Sequence, residues 1–471
     1  MTVRAGADPP ADRRPATLPL DERDGGVAVA PPVGSALVRE PLSRLVSRVA
    51  LPAVASNLLM TLFLAVDAFW VGTRLGATSL AAVTAAVFWV WMGISVAEMV
   101  SIGLTAVAAR RHGEGRPEEA ARAAGDALVL TLALGVAAAV AGRLCVDAMF
   151  AAMQTPSDVA AAGTTYLGLY VLAAPVLYGY FVVDAAFRAS GDTRTPFLIL
   201  AASVLVSLVL DPLLILGLGG FPRLGIAGAA LATVSSRSIA FLVGLAVLRR
   251  RRMIALGVPR LAVMVRVARI GLPTSATGVL FSLVYVVVAR TASRFGTPAL
   301  AALGLGFRVE SWLYMIGVGF GAAAAAIVGQ NLGAGQPGRA ARAGWLLLGF
   351  STVPAFAVAA LSLLAPERAA GIFTSDVAVI AQTASYLRIA AIAQLLLSAE
   401  VVLEGALGGA GYTVAPMVAS TAITVSRVPL ATWAARFGTS GLWAVIAVTA
   451  AGRGLAMIVL WWSGRWKRAN A

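Results

Sequence analysis

Long, predominantly apolar stretches, interrupted by short clusters of arginine, glycine and proline, occupy most of the chain. A helix needs about 20 such residues to cross the hydrocarbon core of a bilayer, where only helices and closed barrels satisfy every backbone N–H and C=O. Twelve stretches qualify, at 45–72, 78–109, 120–146, 158–189, 195–217, 225–248, 268–293, 298–329, 339–364, 376–409, 415–435 and 441–463. They predict an all-α polytopic membrane protein with twelve transmembrane helices, the even number returning both chain ends to one face. With 59% hydrophobic and 13% charged residues and a mean hydropathy of +0.86, the chain lies far from soluble domains, which are about half apolar and a quarter charged. A soluble enzyme, a disordered chain and a nucleic-acid binder are excluded, despite a net charge of +15.

The cationic surplus has a topological meaning. The 37 basic residues, all arginine except Lys467, gather between the apolar stretches. Alternate connections place 25 of them on the face of the chain ends and seven on the opposite face, with Arg237, Arg308, Arg388, Arg427 and Arg453 within or at the edges of helices. Positively charged loops stay on the cytoplasmic side, so a multi-pass protein of the cell (inner) membrane with both termini cytoplasmic is expected. Residues 1–41, rich in Pro, Asp, Arg and Gly, read as a disordered cytoplasmic tail. No apolar core of a cleavable signal precedes Leu42. Arg249 to Arg252, between the two halves, suit anionic lipid headgroups. A single cysteine, Cys145, read as a small packing residue at a helix end, excludes an internal disulfide. A single histidine, His112, in a charged loop, excludes multi-histidine metal sites. The expectation is a monomeric protein, not an enzyme, without metal or cofactor, whose partners are membrane lipid and a small organic substrate, with no nucleic acid.

The chain repeats at an offset of about 220 residues. "RLGATSLAAV" from Arg74 returns as "RFGTPALAAL" from Arg294, "HGEGRPEEAARA" from His112 as "LGAGQPGRAARA" from Leu332, and "FRASGDTRTPF" from Phe187 as "LGGAGYTVAPM" from Leu407. Pro52 pairs with Pro273, one residue out of register. Each half holds six helices, so the halves share an orientation and are related by a pseudo-two-fold axis along the membrane normal. The predicted units are an amino-terminal lobe at 42–250, a cytoplasmic linker at 251–267 and a carboxyl-terminal lobe at 268–471. Such an architecture places a substrate site between the lobes, with access alternating as they rock.

Carboxylates inside these helices need a reason, since each costs about 2.5 to 3.5 kcal/mol at a helix centre on insertion scales. The repeat separates the candidates. Asp184 recurs as Glu404 near the same end of its helix, and both read as interfacial or structural. Asp67 and Asp211 map instead onto Val287 and Ala431, so only the amino-terminal lobe has them. At 1.5 Å per residue, Asp67, Asp211 and Thr233 lie at one depth, about 8 to 12 Å below the face opposite the termini. Ser207 is one turn deeper than Asp211 and on its side of the helix. These four residues are the expected ion-coupling cluster. Pro52, on the helix of Asp67, lacks an N–H and offers a bend. For the substrate, the second and eighth helices should meet across the cleft with Phe88 and Trp91 on one and Glu310, Trp312 and Tyr314 on the other, a setting for a cationic aromatic guest.

The runs "LPAVASNLLMTLFLAVDAFWVG" (51–72), "LDPLLILGLGG" (210–220), "GIAGAALATVSSR" (225–237) and "IVGQNLGAGQPGRAARA" (327–343) resemble the multidrug and toxic compound extrusion family, in its bacterial DNA-damage-inducible-protein-F-like branch. The resemblance extends from about residue 42 to 465. It implies an antiporter expelling organic, often cationic, compounds in exchange for protons or sodium. Asp67, Asp211 and Thr233 match the family's ion-site positions in the amino-terminal lobe. Ser207 departs from the asparagine of matching members; a hydroxyl is a poorer sodium ligand than an amide carbonyl, which favours protons as the coupling ion over sodium. Two rival classes have requirements of their own. A lipid-linked precursor flippase would favour a cationic cavity, against which the paired aspartates and few lobe-facing arginines argue. A membrane-embedded transferase would need an acidic metal-diphosphate cluster.

Overall fold

The computed structural model describes residues 37–75, 77–153, 157–373 and 376–469, apart from the side chains at 64–69, 72, 73, 77, 80, 81, 84, 88, 282, 286, 293 and 297. The predicted tail, up to residue 36, lies outside the described residues. Every regular element described is helical. Twelve crossings follow in order: α1 Leu51–Leu75, α2 Ala77–Gly113, α3 Pro117–Ala152, α4 in two arms Ser157–Leu172 and Ala174–Ser190, α5 Arg194–Leu216, α6 Ile226–Arg250, α7 Leu261–Ser293, α8 Thr297–Gly333, α9 Pro337–Leu364, α10 Val377–Gly409, α11 Val414–Ala434 and α12 Gly438–Trp462. We call the face carrying the chain ends the terminal face.

Local chemistry explains where the helices depart from the apolar stretches. α3 begins before its stretch because Pro117 opens the first turn and Glu118 and Glu119 face the positive end of the helix dipole. The stretch 158–189, read as one helix, is bent by 53° between the arms of α4. Pro175 lies in the first turn of the second arm and withholds the N–H that a continuous helix would need. The helical run Val414–Trp462 has 49 residues, far more than one crossing requires. It folds back on itself at Ala435–Phe437 and Gly438, whose φ of +77° suits glycine, and α11 and α12 pack together.

The core shows how the lobes are joined. Val46, Val49 and Ala50, in the π-helical turn Val46–Ala50 that leads into α1, are buried with Phe320, Ile327 and Leu403 of the carboxyl-terminal half. Thirteen residues after Ala50, Phe63 packs on Leu200 and Val204 of α5 in its own half. The repeat makes the same exchange: Val267 and Ile270 at the start of α7 join the core of α2, α3 and α4, whereas Val284 and Val288 join that of α8 and α10 to α12. Each half therefore begins in the core of the other, and Pro52 and Pro273 mark the two crossings.

Glycines let the lobes meet backbone to backbone toward the terminal face. A Cβ on Gly271 of α7 would lie 1.7 Å from the Met99 carbonyl oxygen of α2, and one on Gly103 2.0 Å from that of Val267. On α2 and α8, Gly113 and Gly333 would meet the carbonyls of Gln330 and Arg110 at 1.9 and 2.0 Å. Small residues are the means by which membrane helices approach closely. Further along the α2/α7 contact, Ser275 Oγ donates to the Ser95 carbonyl at 2.6 Å. Both chain ends cross the same seam. Asn331 Nδ2 donates to the Leu37 carbonyl at 3.2 Å, Arg339 donates to the carbonyls of Leu37 and Glu40, and Arg110 Nη1 donates to that of Ala469 at 2.7 Å.

A substitution tests this seal. Gly271→Val lacks the room for its Cβ by 1.7 Å, the difference between the 1.7 Å available and an ordinary 3.4 Å contact. It is expected to hold the terminal side of the cleft open. In a Cys145→Ala background, thiol labelling of Ser275→Cys from that side should rise by roughly tenfold; unchanged labelling would show that the glycine contact does not control closure.

Candidate functional site

α5 and α6 are antiparallel neighbours held in register at two points. Ser203 Oγ donates to the Ser236 carbonyl at 2.9 Å. Nearer the far face, Gly228 approaches the Leu214 carbonyl so closely that a Cβ would lie 2.4 Å from it. Between these points lie Ser207, Asp211 and Thr233, 0%, 1% and 5% exposed. Ser207 is one turn beyond Ser203 and Thr233 three residues before Ser236, so the two hydroxyls meet at one level. Hydroxyls in apolar helices commonly bond the carbonyl of the preceding turn, as Ser238 and Thr277 do. Those of Ser207 and Thr233 make no hydrogen bond among the described residues. Pro212, next to Asp211 in α5, withholds its N–H from the Leu208 carbonyl, adding a backbone oxygen on the same stretch.

Asp67 lies one turn beyond Phe63 on α1, which packs against α5; its side chain lies outside the described residues. Pro52 is in the first turn of α1, directly after the π-helical turn, and its carbonyl accepts from Ser56 Oγ at 2.9 Å. One neighbour was not singled out from sequence. Arg237, one turn beyond Thr233 on α6 and 6% exposed, holds its guanidinium 5.1 Å from the Phe63 ring centroid and 5.8 Å from that of Tyr180. An arginine inside an apolar stretch is as costly as an aspartate, and that was the available signal.

The expected substrate residues are less unified. Glu310 turns into its own lobe and accepts the Tyr386 hydroxyl at 2.9 Å. Trp91, Trp312 and Tyr314 are 45%, 47% and 44% exposed, and the Phe88 side chain lies outside the described residues. The structure brings Glu310 to Tyr386, not to these tryptophans. The expectation of few lobe-facing arginines needs correction, because Arg427 and Arg453 are buried beside Glu310 and Glu400 in the carboxyl-terminal lobe, as Arg237 is in the other. Arg453 Nη1 pairs with Glu400 at 2.9 Å, both nearly inaccessible. Asp184 forms a buttress, paired with Arg188 at 2.8 Å, whose Nη2 donates to Ser101 of α2 at 3.2 Å. Cys145 is exposed within α3, not packed at a helix end, and His112 lies in the last turn of α2.

Comparison with known proteins agrees with this architecture. The family model described as MatE matches the chain twice, at residues 52–213 and 273–433, one copy for each half. The chain is 32% identical over 293 residues to the probable multidrug resistance protein YoeA of Bacillus subtilis, covering 60% of this chain and 63% of that relative's length. It is 30% identical over 322 residues to a protein named FAD transporter from Shewanella oneidensis, with 67% and 71% covered. With the probable multidrug resistance protein NorM of Thermotoga maritima it shares 27% over 433 residues, or 89% and 92%. The crystal structure of a MATE protein in the straight conformation superposes with a TM-score of 0.83 at 25% identity, over 92% of this chain and 97% of that one. With both halves matched in order by one model, the chain belongs to the MatE family and is a MATE-type membrane efflux transporter.

Proposed function

We propose that the protein is a secondary antiporter that exports small organic compounds in exchange for protons, with Asp67 and Asp211 carrying the proton and Ser207 and Thr233 completing their site. The observation that supports this most is the burial of Asp211, Ser207 and Thr233 on the neighbouring helices α5 and α6, with both hydroxyls bonding no backbone carbonyl, at positions where the other half has no carboxylate. Multidrug resistance proteins among the relatives support export, and the relative named FAD transporter extends the range of substrates to consider. In this reading the terminal face is cytoplasmic, and the glycine-sealed structure is the state open to the outside.

Protonation removes the charge from the aspartates and lets α1 and α5 pack more closely. The crossing of α1 between lobes at Pro52 then changes the seam, and the cleft opens on the cytoplasmic side. One proton moving through about 100 mV supplies roughly 2.3 kcal/mol, enough for a substrate gradient of about fiftyfold. The test is transport in sealed vesicles. Efflux should follow a pH step imposed without sodium, and a requirement for a sodium gradient, with indifference to the pH step, would replace the proton by sodium. A lipid-linked precursor flippase would instead scramble lipid in the same vesicles.

A further inference from the structure

The repeat sets the two lobes in opposite polarity. At the offset that aligns Phe187 with Leu407, Asp211 corresponds to Ala431 and Ser207 to Arg427. Where the amino-terminal lobe has a hydroxyl beside a carboxylate, the carboxyl-terminal lobe has a guanidinium. Arg427 is 0% exposed. Its Nε donates to Thr449 Oγ1 of α12 at 2.8 Å and the Tyr285 hydroxyl lies within hydrogen-bonding reach of the guanidinium, whereas neither Nη1 nor Nη2 meets a carboxylate oxygen among the described residues. The neighbouring carboxylates are engaged elsewhere, Glu400 with Arg453 and Glu310 with Tyr386. Glu404, one turn from Glu400, forms no ion pair among the described residues, nor does Arg427. A guanidinium keeps its charge at any pH that a cell meets, and burying it with no carboxylate paired to it is unfavourable.

The surroundings indicate what would meet those donors. The Tyr285 ring lies 5.3 Å from the Arg427 guanidinium and the Phe281 ring 5.0 Å from that of Arg453. Phe281 and Tyr285 are 4.6 Å apart, and Tyr285 is 5.5 Å from Phe307, which is 45% exposed. A ladder of rings thus leads from the surface of α8 to two buried guanidiniums. Planar donors of this kind match the oxygens of a carboxylate, sulfonate or phosphate in a bidentate pair.

We infer that the carboxyl-terminal lobe holds a binding site for an organic anion with a flat ring system, its acidic group on Arg427 and its ring against Tyr285 and Phe281. The site names the substrate class of the proposed antiporter and rests on that reading only for its physiological use, since binding requires no gradient. Anion and proton then occupy different lobes, so each can be removed separately.

The probes are naphthalene-2-sulfonate and its neutral sulfonamide, matched in ring and shape, with binding to purified protein in detergent measured by equilibrium dialysis. Wild-type protein should bind the sulfonate at least tenfold more tightly than the sulfonamide. Arg427→Gln should erase that preference and Arg427→Lys should keep part of it, while Asp211→Asn leaves it intact. Equal binding of the two probes by wild-type protein would overturn the proposal, whatever the folding of the variants. So would an undiminished preference in Arg427→Gln, which would make Arg427 a counter-charge for Glu310 and Glu400 only. Failure of Asp211→Asn to impair pH-driven efflux would overturn the coupling mechanism and leave the anion site standing.

Discussion

Replacing Asp211 by asparagine is expected to abolish gradient-driven efflux, by about a hundredfold or more, while equilibrium substrate binding changes by less than about tenfold, or 1.4 kcal/mol. Asparagine keeps the shape and much of the hydrogen bonding of aspartate but cannot release a proton. The environment makes the loss hard to compensate. Asp211 is 1% exposed, and the buried hydroxyls of Ser207, one turn away on α5, and Thr233 on α6 cannot exchange protons at physiological pH. Asp67→Asn should behave in the same way, because Asp67, like Asp211, lies within an apolar stretch and has no acidic counterpart in the other half. Glu404→Gln should have little effect on efflux. The comparison is made in vesicles with an imposed pH step, alongside binding to the same purified variants. Full efflux by both aspartate variants would move the coupling site to Glu400 and Glu404 on α10.

A second large effect concerns stability. Glu400 and Arg453 form a 2.9 Å ion pair with side chains 6% and 7% exposed. Removing one partner of such a pair leaves a buried charge and costs about 3 to 5 kcal/mol, whereas an apolar pair of similar volume is often neutral. Glu400→Gln should therefore lower the melting midpoint in detergent sharply, and Glu400→Leu with Arg453→Met should recover most of the loss. The Phe281 ring against Arg453 gives the methionine an apolar wall to pack on. Equal melting of wild type and Glu400→Gln would mean that the pair contributes nothing to the fold, and a double variant as unstable as the single one would point to a role beyond charge neutralisation.

The sequence made the crossings legible because membrane solvation acts on whole stretches, and every one of the twelve reappears as a crossing. The bend in α4 was less visible, since a proline in an apolar run can equally be absorbed by a continuous helix. The exchange of α1 and α7 between lobes was hidden for a different reason. Val46, Val49, Val267 and Ile270 are as apolar as any lobe residue, and hydropathy does not tell which core they enter. In the amino-terminal lobe, repeat asymmetry and depth pointed to Ser207, Asp211 and Thr233, which are buried on the neighbouring helices α5 and α6. In the carboxyl-terminal lobe they pointed to neither buried arginine. Arg427 and Arg453 fall near the middle of the stretches 415–435 and 441–463, where an arginine is costly, but the sequence does not show which groups they face; the packing buries both, Arg453 against Glu400. Glu310 was read as a substrate contact, and its partner Tyr386 is 76 residues away, beyond the reach of helical spacing.

Mutual exclusion of proton and substrate, acting through the aspartates of the amino-terminal lobe, is the expected basis of antiport. Its direct measurement is proton release on adding a transported substrate to the purified protein in weakly buffered detergent solution, with no gradient and no sodium. Wild-type protein should release protons in proportion to the substrate bound, and Asp67→Asn and Asp211→Asn should bind it and release none. Undiminished release from both variants, or no release from the wild type at saturating substrate, would contradict the account.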